Sequence, residues 1–557
     1  MIRFSTLALL LLAGGLAHGA ADVVFVGGTI HTLAGERPST VEALAIGDGT
    51  VVAAGDRTTV EAHVGDATRV VDLAGRTVIP GLVDAHAHLS GLGAALARVD
   101  LRGARSAEEC VDRARAVHGE LPDGAWLLGR GWDQNGWDGQ AFPDRSLLDE
   151  AFGDRPVRFT RIDGHASWVN TAALRRAGID RDTPDPEGGE IERDPATGRA
   201  TGILIDAAES LVGAAIPEPD AAEIERRYRR AVQSCVELGI TGVHDMGVSL
   251  EELEVLRRGE REGWLDLRMV VYLGGDQILA AYEGGRAGLE PSSRVRVEGV
   301  KLYADGALGS RGAALLEDYS DRPGHRGLLI QEPAVLQQRI ERVFARDLGL
   351  AVHAIGDRAN RIVLDRIVAA HTALTERRVD VAPLPSLNAR IEHAQIVHPD
   401  DLHRFARHGI LPSMQPTHCT SDMPWAPDRL GQERLEGAYA WRTLRELGCI
   451  IPLGSDFPVE EASPLLGLHA AVTRQTPDGH PPDGWSPDQS LTPLEALLGF
   501  TVWPARAIDA EAWGTLAVGS RADLVVVDRD PLSVDASRLL DTTVQMTMVD
   551  GEIVFER

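Results

Sequence analysis

Lysine is almost missing from this chain. Of 56 basic residues only Lys301 is lysine, and the other 55 are arginine. Guanidinium is not deprotonated in proteins, whereas an ammonium can be, so the chain has kept a single cation able to give up its proton. Cysteine is scarce as well. Cys110, Cys235, Cys419 and Cys449 are the only four, and none stands in a C-x-x-C pair, so the spacing gives no thiolate zinc site. They read as small buried residues or as one disulfide. Positive charge is in deficit, 56 basic against 83 acidic residues for a net charge of −27. That surplus repels phosphate backbones and excludes nucleic acid as a partner. Past the N-terminus no eighteen-residue apolar run free of charge occurs, which excludes stable membrane insertion of the remainder.

What is present is an ordinary globular composition, 44% apolar and 25% charged, incompatible with a disordered or fibrous chain. A length of 557 residues allows three or four units, or fewer if one is a large barrel. The N-terminus has the layout of a secretory signal peptide over 1–21. Arg3 is the positive end, Leu7 to Leu16 the apolar stretch, and Ala17-His18-Gly19-Ala20-Ala21 the small-residue cleavage zone. That zone holds no cysteine for lipid attachment, and no twin arginine precedes the apolar stretch. The expected destination is export, to the periplasm or outside the cell.

Residues 22–76 and 508–557 show short alternating strands with Gly-Asp and Asp-Gly turns, as in VVFVGGTIHTL, ADLVVVDRD and VQMTMVDGEIVFE. Such alternation is antiparallel β structure, and the two ends are expected to pair into one small β-sandwich. Between them, over 77–507, buried strands alternate with amphipathic stretches such as VLQQRIERVFARDLG and AAEIERRYRRAVQSCVELG. Eight strands are predicted, at 77–88, 239–247, 267–275, 296–306, 349–357, 389–397, 409–416 and 449–458. Eight strands in this rhythm predict an α/β fold of the TIM (β/α)8 barrel type. Residues 89–235, between the first two strands, are too long for a simple connection. They are expected to form an insertion subdomain over the barrel mouth.

The chemistry-bearing residues lie at the predicted strand ends. His86 and His88, two apart on the first strand, point to the same side, which is half of a transition-metal site. An H-x-H pair alone is a weak signal and is equally a polar pair satisfied in a loop. Lys301 in the fourth strand, His353 on the fifth, His393 on the sixth and Asp456 on the eighth join it at the C-terminal rim, where barrel active sites sit. Four imidazoles crowded without a cation are electrostatically costly, and a pair of metal ions resolves this. An ammonium would be repelled by such ions. A neutral lysine amine that has captured CO2 as a carbamate instead offers two anionic oxygens, a role closed to arginine. A structural salt-bridged lysine and a Schiff-base nucleophile are the competing readings of Lys301. The second leaves the histidines and Asp456 without a task.

The motifs GLVDAHAHL, VKLYADGALGSRGA, VHAIGD, RIEHAQ and GSDFPV together resemble the metal-dependent amidohydrolase superfamily. They are most similar to its amidohydrolase-3 branch, which includes YtcJ-type proteins and N-substituted formamide deformylase. The resemblance covers nearly the whole chain and is specific for the superfamily but not for a substrate. It implies that His86, His88 and Asp456 hold one metal, that Lys301 bridges to a second held by His353 and His393, and that Asp456 is the catalytic proton shuttle; the branch varies in occupancy, so one or two divalent ions, zinc above all, are expected. It also implies substrate contacts. Trp132 with Asp133, and Asp163 and His165 with Trp168, match the branch's GWD and DGH-x-x-WVN segments, whose other reading is aromatic packing of a subdomain. Gln415 and His418 follow the seventh strand and face the same rim. Arg311 either holds a substrate carboxylate or makes a surface ion pair, and His244 is a group behind the site or a substrate contact. His398, His403 and His408 read as solvated.

The expected function is metal-dependent hydrolysis of a non-peptide C–N bond in a small molecule such as a linear amide, formamide or N-acyl amine. The alternatives are a lactone, carbamate or cyclic amide at the same centre, and a binding or regulatory protein with little turnover. A homodimer is compatible with the sequence.

Overall fold

The computed structural model describes residues 20–119, 121–122, 124–162, 165–274, 294–377 and 381–557. Most of the expected signal peptide, residues 1–19, and Asp163 lie outside the described residues. Two compact units divide the chain, 1–88 with 232–557 and, separately, 89–231.

In the first unit the alternating ends of the chain share one eight-stranded sheet. Val23–His31 pairs with Thr40–Gly47, which turns back into Thr50–Gly55. Asp48 and Gly49 both take positive φ (50° and 70°), the two-residue hairpin turn that the Asp-Gly signal calls for. Asp550-Gly551 does the same between Val544–Val549 and Glu552–Glu556. The two ends join where Thr77–Pro80 runs antiparallel to Leu524–Val527, with Val525 opposite Ile79. Phe25, Ile30, Leu44, Ile46, Val78, Leu524, Val526 and Met548 fill the apolar side of this sheet.

This corrects the boundary drawn at residue 77. The run TVIPGLVDAHAH is two strands, Thr77–Pro80 in the terminal sheet and Leu82–Ala87 in the barrel. Pro80 has no N–H to continue a ladder. A Cβ on Gly81 would lie 2.2 Å from Thr241 Oγ1, so only glycine passes there.

The barrel is a parallel sheet of seven strands in chain order, Leu82–Ala87, Ile240–Val248, Arg268–Gly274, Val295–Tyr303, Gly349–Ala354, Ala389–His393 and Leu411–Ser413. The expected eighth strand is an extended segment without a regular ladder. Met414 N–H donates to Pro452 O at 3.0 Å and Gly454 N–H to Met414 O at 3.1 Å on one side. On the other, Ala85 N–H donates to Leu453 O at 3.0 Å and Asp456 N–H to His86 O at 2.7 Å. These bonds join the last segment to the first strand. Pro452 interrupts the donor pattern, and a Cβ on Gly454 would stand 2.5 Å from His86 N. The amphipathic stretches form helices Ala221–Glu237 and Pro333–Phe344. All four cysteines are buried and free. Among the described residues no helix is long and apolar enough to cross a membrane.

The second unit is built on a six-stranded mixed sheet, in the order Gly189–Arg193, Ala200–Asp206, Ala166–Val169, Val157–Arg161, Leu127–Trp132 and Val99–Asp100. Its core packs Leu101, Cys110, Leu127, Leu148 and Phe159 around Trp132 and Trp168.

Candidate metal centre

The first barrel strand delivers His86 with its side chain fully buried and His88 just beyond it, partly open. His86 Nδ1 lies 2.5 Å from Glu392 Oε2. A carboxylate in contact with Nδ1 places the proton on that nitrogen and leaves Nε2 as a lone pair. That Nε2 faces Lys301 Nζ at 3.3 Å and Asp456 Oδ1 at 3.5 Å. His88 is oriented the same way by a different acceptor, Met246 O at 2.7 Å from its Nδ1, and its Nε2 stands 3.2 Å from Asp456 Oδ1.

Lys301 lies on the inner side of the fourth strand and is buried. Burial pushes its amine down to about 8, against the pull of Glu392 and Asp456. His353, on the fifth strand, and His393, ending the sixth, stack edge to face with ring centres 4.6 Å apart. The His393 ring is 4.8 Å from that of His86. Burial, with Lys301 beside it, pushes His353 down to about 3 and His86 to about 4. Burial and the neighbouring imidazoles hold His393 well below the ordinary histidine range. These rings are therefore neutral at pH 7, the form in which an imidazole can bind a metal.

Asp456 follows the eighth segment in the left-handed region (φ 62°), and His393 does likewise (φ 73°). Such a backbone costs a non-glycine residue about 1–3 kcal/mol and persists where its surroundings over-determine it. At Asp456 the surroundings are His86 and His88 on Oδ1 and His418 Nε2 on Oδ2 at 3.2 Å. Burial opposes its charge, but the imidazoles around it, His86 first, and the hydrogen bond from His418 hold the carboxyl well below the usual range.

The structure thus brings together His86, His88, Lys301, His353, His393 and Asp456, all six expected ligands. Ligand atoms of His86, His88 and Asp456, and those of His393, His418 and Asp456, lie within 4.8 Å of one another. Asp456 Oδ1 is buried here without a hydrogen-bond partner, and so is His353 Nε2, which stands 3.6 Å from Asp305 Oδ1. An unsatisfied buried acceptor costs about 1–3 kcal/mol. A divalent cation would satisfy Asp456 Oδ1, and nitrogen-rich donors with a carboxylate are the set such an ion takes. The residues fit the group.

The sequence profile of the amidohydrolase family matches residues 69–555. The chain belongs to the amidohydrolase family. It is an enzyme that hydrolyses C–N bonds, of the metal-dependent superfamily. It is 33% identical to the YtcJ amidohydrolase of Bacillus subtilis (strain 168) over 546 residues, covering 96% of this chain and 99% of that one. To the N-substituted formamide deformylase of Arthrobacter pascens it is 30% identical, covering 96% and 98%. A crystal structure of an uncharacterized metal-dependent hydrolase from Pyrococcus horikoshii OT3 superposes with a TM-score of 0.74 at 31% identity, covering 92% of this chain and 99% of that one.

The expected substrate contacts of this amidohydrolase fare differently from the expected ligands. Trp132 is fully buried in the core of the second unit, its indole N–H bonded to Phe159 O at 2.8 Å. This corrects its reading as a substrate contact, because aromatic packing consumes the side chain. His165 is exposed and pairs with Asp206 at 2.8 Å. Arg311 is committed in bidentate fashion to Asp321 at 3.1 and 2.7 Å, which corrects its reading as a carboxylate holder in favour of the ion pair. Gln415 is buried with Oε1 2.8 Å from His393 Nδ1, so it orients the His393 ring. His418 is wedged between Asp456 and Glu460, the latter 3.5 Å from its Nδ1. Burial opposes its proton, but these two carboxylates hold it on up to about 10.

Sequence reasoning missed Tyr303, whose ring centre lies 5.1 Å from Lys301 Nζ and 5.7 Å from that of His353. It also missed Arg390 and Glu392, both fully buried. Two opposite charges two apart, flanking Ile391 in the buried strand ARIEH, were the signal. In a strand they share one face, and only a paired arrangement is tolerated in a barrel interior.

Proposed function

We propose that this amidohydrolase cleaves linear amides, formamides or N-acyl amines of small molecules, releasing a carboxylate and an amine. The observation that carries the reading is Asp456 Oδ1, a buried carboxylate oxygen without a hydrogen bond among five imidazoles and one lysine. His86, His88 and Asp456 would hold one divalent ion, and His353, His393 and Lys301 would complete a site for a second. Zinc suits the nitrogen-rich set.

A divalent ion held there acidifies water, from a pKa of ~15.7 towards ~7, and polarises a carbonyl. Lys301 joins as an anion. Its neutral amine would add to CO2 and release one proton to solvent, giving an N-carboxylate able to offer two anionic oxygens to the ions. Burial favours this by lowering the proton affinity of the amine. Asp456 Oδ1 takes the proton of the attacking water and returns it to the departing nitrogen, a general acid–base role worth ~10²–10⁴-fold. His418 keeps the Asp456 carboxylate oriented through Oδ2. The terminal sheet is read as the family's β-sandwich and residues 89–235 as the insertion subdomain.

The test is a panel of N-formyl and N-acyl amines set against lactones and carbamates, with enzyme stripped of metal and then reloaded with zinc. Amine release that disappears and returns with the metal supports the reading. Turnover confined to lactones or carbamates would replace it.

A further inference from the structure

We infer that the buried pair Arg390–Glu392 is the positioning device of His86, fixing its tautomer and making it the anchor of the metal centre. The inference rests on the proposed reading for the metal but on geometry alone for the tautomer. Glu392 presents Oε2 to His86 Nδ1 at 2.5 Å, with both side chains inaccessible to solvent. The carboxylate is in turn gripped by Arg390, whose Nε donates to Oε1 and whose Nη2 donates to Oε2 at 3.1 Å. The same guanidinium donates to Ala85 O at 2.6 Å and Ser413 Oγ at 2.5 Å, and its Nη1 stands 3.0 Å from His244 Nδ1. Tyr272 covers its face, with the ring centre 5.4 Å from Cζ. Arg390 is thereby pinned to the first, second, sixth and seventh strands, and Glu392 cannot turn away from His86.

The three ligand histidines with a fixed Nδ1 differ in what accepts from it. His88 has a backbone carbonyl, Met246 O, and His393 has an amide oxygen, Gln415 Oε1. Only His86 has a full carboxylate. A charged acceptor on Nδ1–H sends more electron density to Nε2 than a neutral one, so His86 is the strongest donor of the set. Arg390 makes this affordable in the interior, since an isolated buried carboxylate would take up a proton and lose the effect. Glu392 is a positioning residue; it touches neither substrate nor the reacting atoms.

The experiment compares wild type, Glu392→Gln and Gln415→Ala as full-length proteins. The first readout needs no metal. Histidine-selective 15N NMR of the stripped protein, with His86→Gln to assign the signal, is expected to show His86 carrying its proton on Nδ1. In Glu392→Gln that signal moves towards a mixture of tautomers. A wild-type His86 protonated on Nε2 would overturn the inference whatever the metal does. The second readout is zinc and cobalt(II) affinity by chelator competition. Glu392→Gln is expected to lose ~10–100-fold, more than Gln415→Ala, and to change its cobalt(II) absorption spectrum. Wild-type affinity and spectrum in Glu392→Gln would reduce the pair to a structural role. Should Glu392→Gln fold poorly, Arg390→Met with Glu392→Gln removes both charges together. Recovered thermal stability with metal affinity still reduced supports the inference, and recovered affinity overturns it. Failure of wild type to bind either metal would instead count against the proposed function.

Discussion

Asp456 Oδ1 and His88 Nε2 stand 3.2 Å apart, yet the carboxylate oxygen has no hydrogen bond and lies buried beside the His86 ring. A side chain so placed is held for a partner that is neither imidazole nor backbone, and it is free to take a proton from whatever approaches the cluster. Asp456→Asn keeps shape and removes the basic oxygen. It should retain part of its metal and fold at the wild-type temperature while kcat falls ~10²–10⁴-fold. Steady-state kinetics with elemental analysis checks this, and an unchanged kcat would remove Asp456 from proton transfer.

Lys301→Arg places a group that cannot be deprotonated at a fully buried position 3.3 Å from His86 Nε2. It should lose metal and activity together. Lys301→Ala should regain part of its turnover when a short carboxylic acid is supplied, because the acid restores an anionic oxygen donor. Rescue that fails for acids and succeeds with alkylamines would favour a free amine over the carbamate.

Arg311→Ala should leave KM for neutral amides and for carboxylate-bearing analogues within about threefold of wild type, since its guanidinium is spent on Asp321 and a partly exposed pair of this kind is worth about 0–1 kcal/mol. A large KM increase confined to carboxylate-bearing analogues would restore Arg311 as a substrate contact.

Most of the centre was legible in the sequence because strand geometry is simple. A period of two sends His86 and His88 to one side, and a parallel barrel sends the ends of its strands to one rim. The lone lysine announced its own position. What was not legible depended on contacts remote in sequence. Nothing around Trp132 distinguishes an indole that packs from one that binds. The pairing of Arg311 with Asp321 spans ten residues of irregular chain. The strand break at Pro80-Gly81 is set by Thr241, far along the chain. Glu392 could have been found, since a buried carboxylate needs a partner and Arg390 stands two residues away.

Acid stability should depend on Glu495. Thr492 and Glu495 cap the helix Pro493–Gly499 reciprocally, and Arg442 donates to both carboxylate oxygens at 3.1 and 2.7 Å. Burial opposes the charge, but Arg442 and Thr492 prevail and bring the group down to about 2 from an ordinary 4.5. A carboxyl lowered on folding contributes stability that is complete above its unfolded value and is lost as pH falls through the folded one. Glu495→Gln should therefore be less stable than wild type at pH 7, by about 2 kcal/mol. The difference should shrink between pH 4.5 and 2. Urea midpoints measured across that range check it, and a difference independent of pH would contradict the assignment.

The most direct test of the metal centre is an anomalous-scattering map at the zinc edge from crystals of the metal-loaded protein. The account predicts a peak about 2.0–2.2 Å from Nε2 of His86, Nε2 of His88 and an oxygen of Asp456, with Lys301 carrying extra density beyond Nζ. A featureless map at that position, with a bare ammonium still against His86, would contradict it.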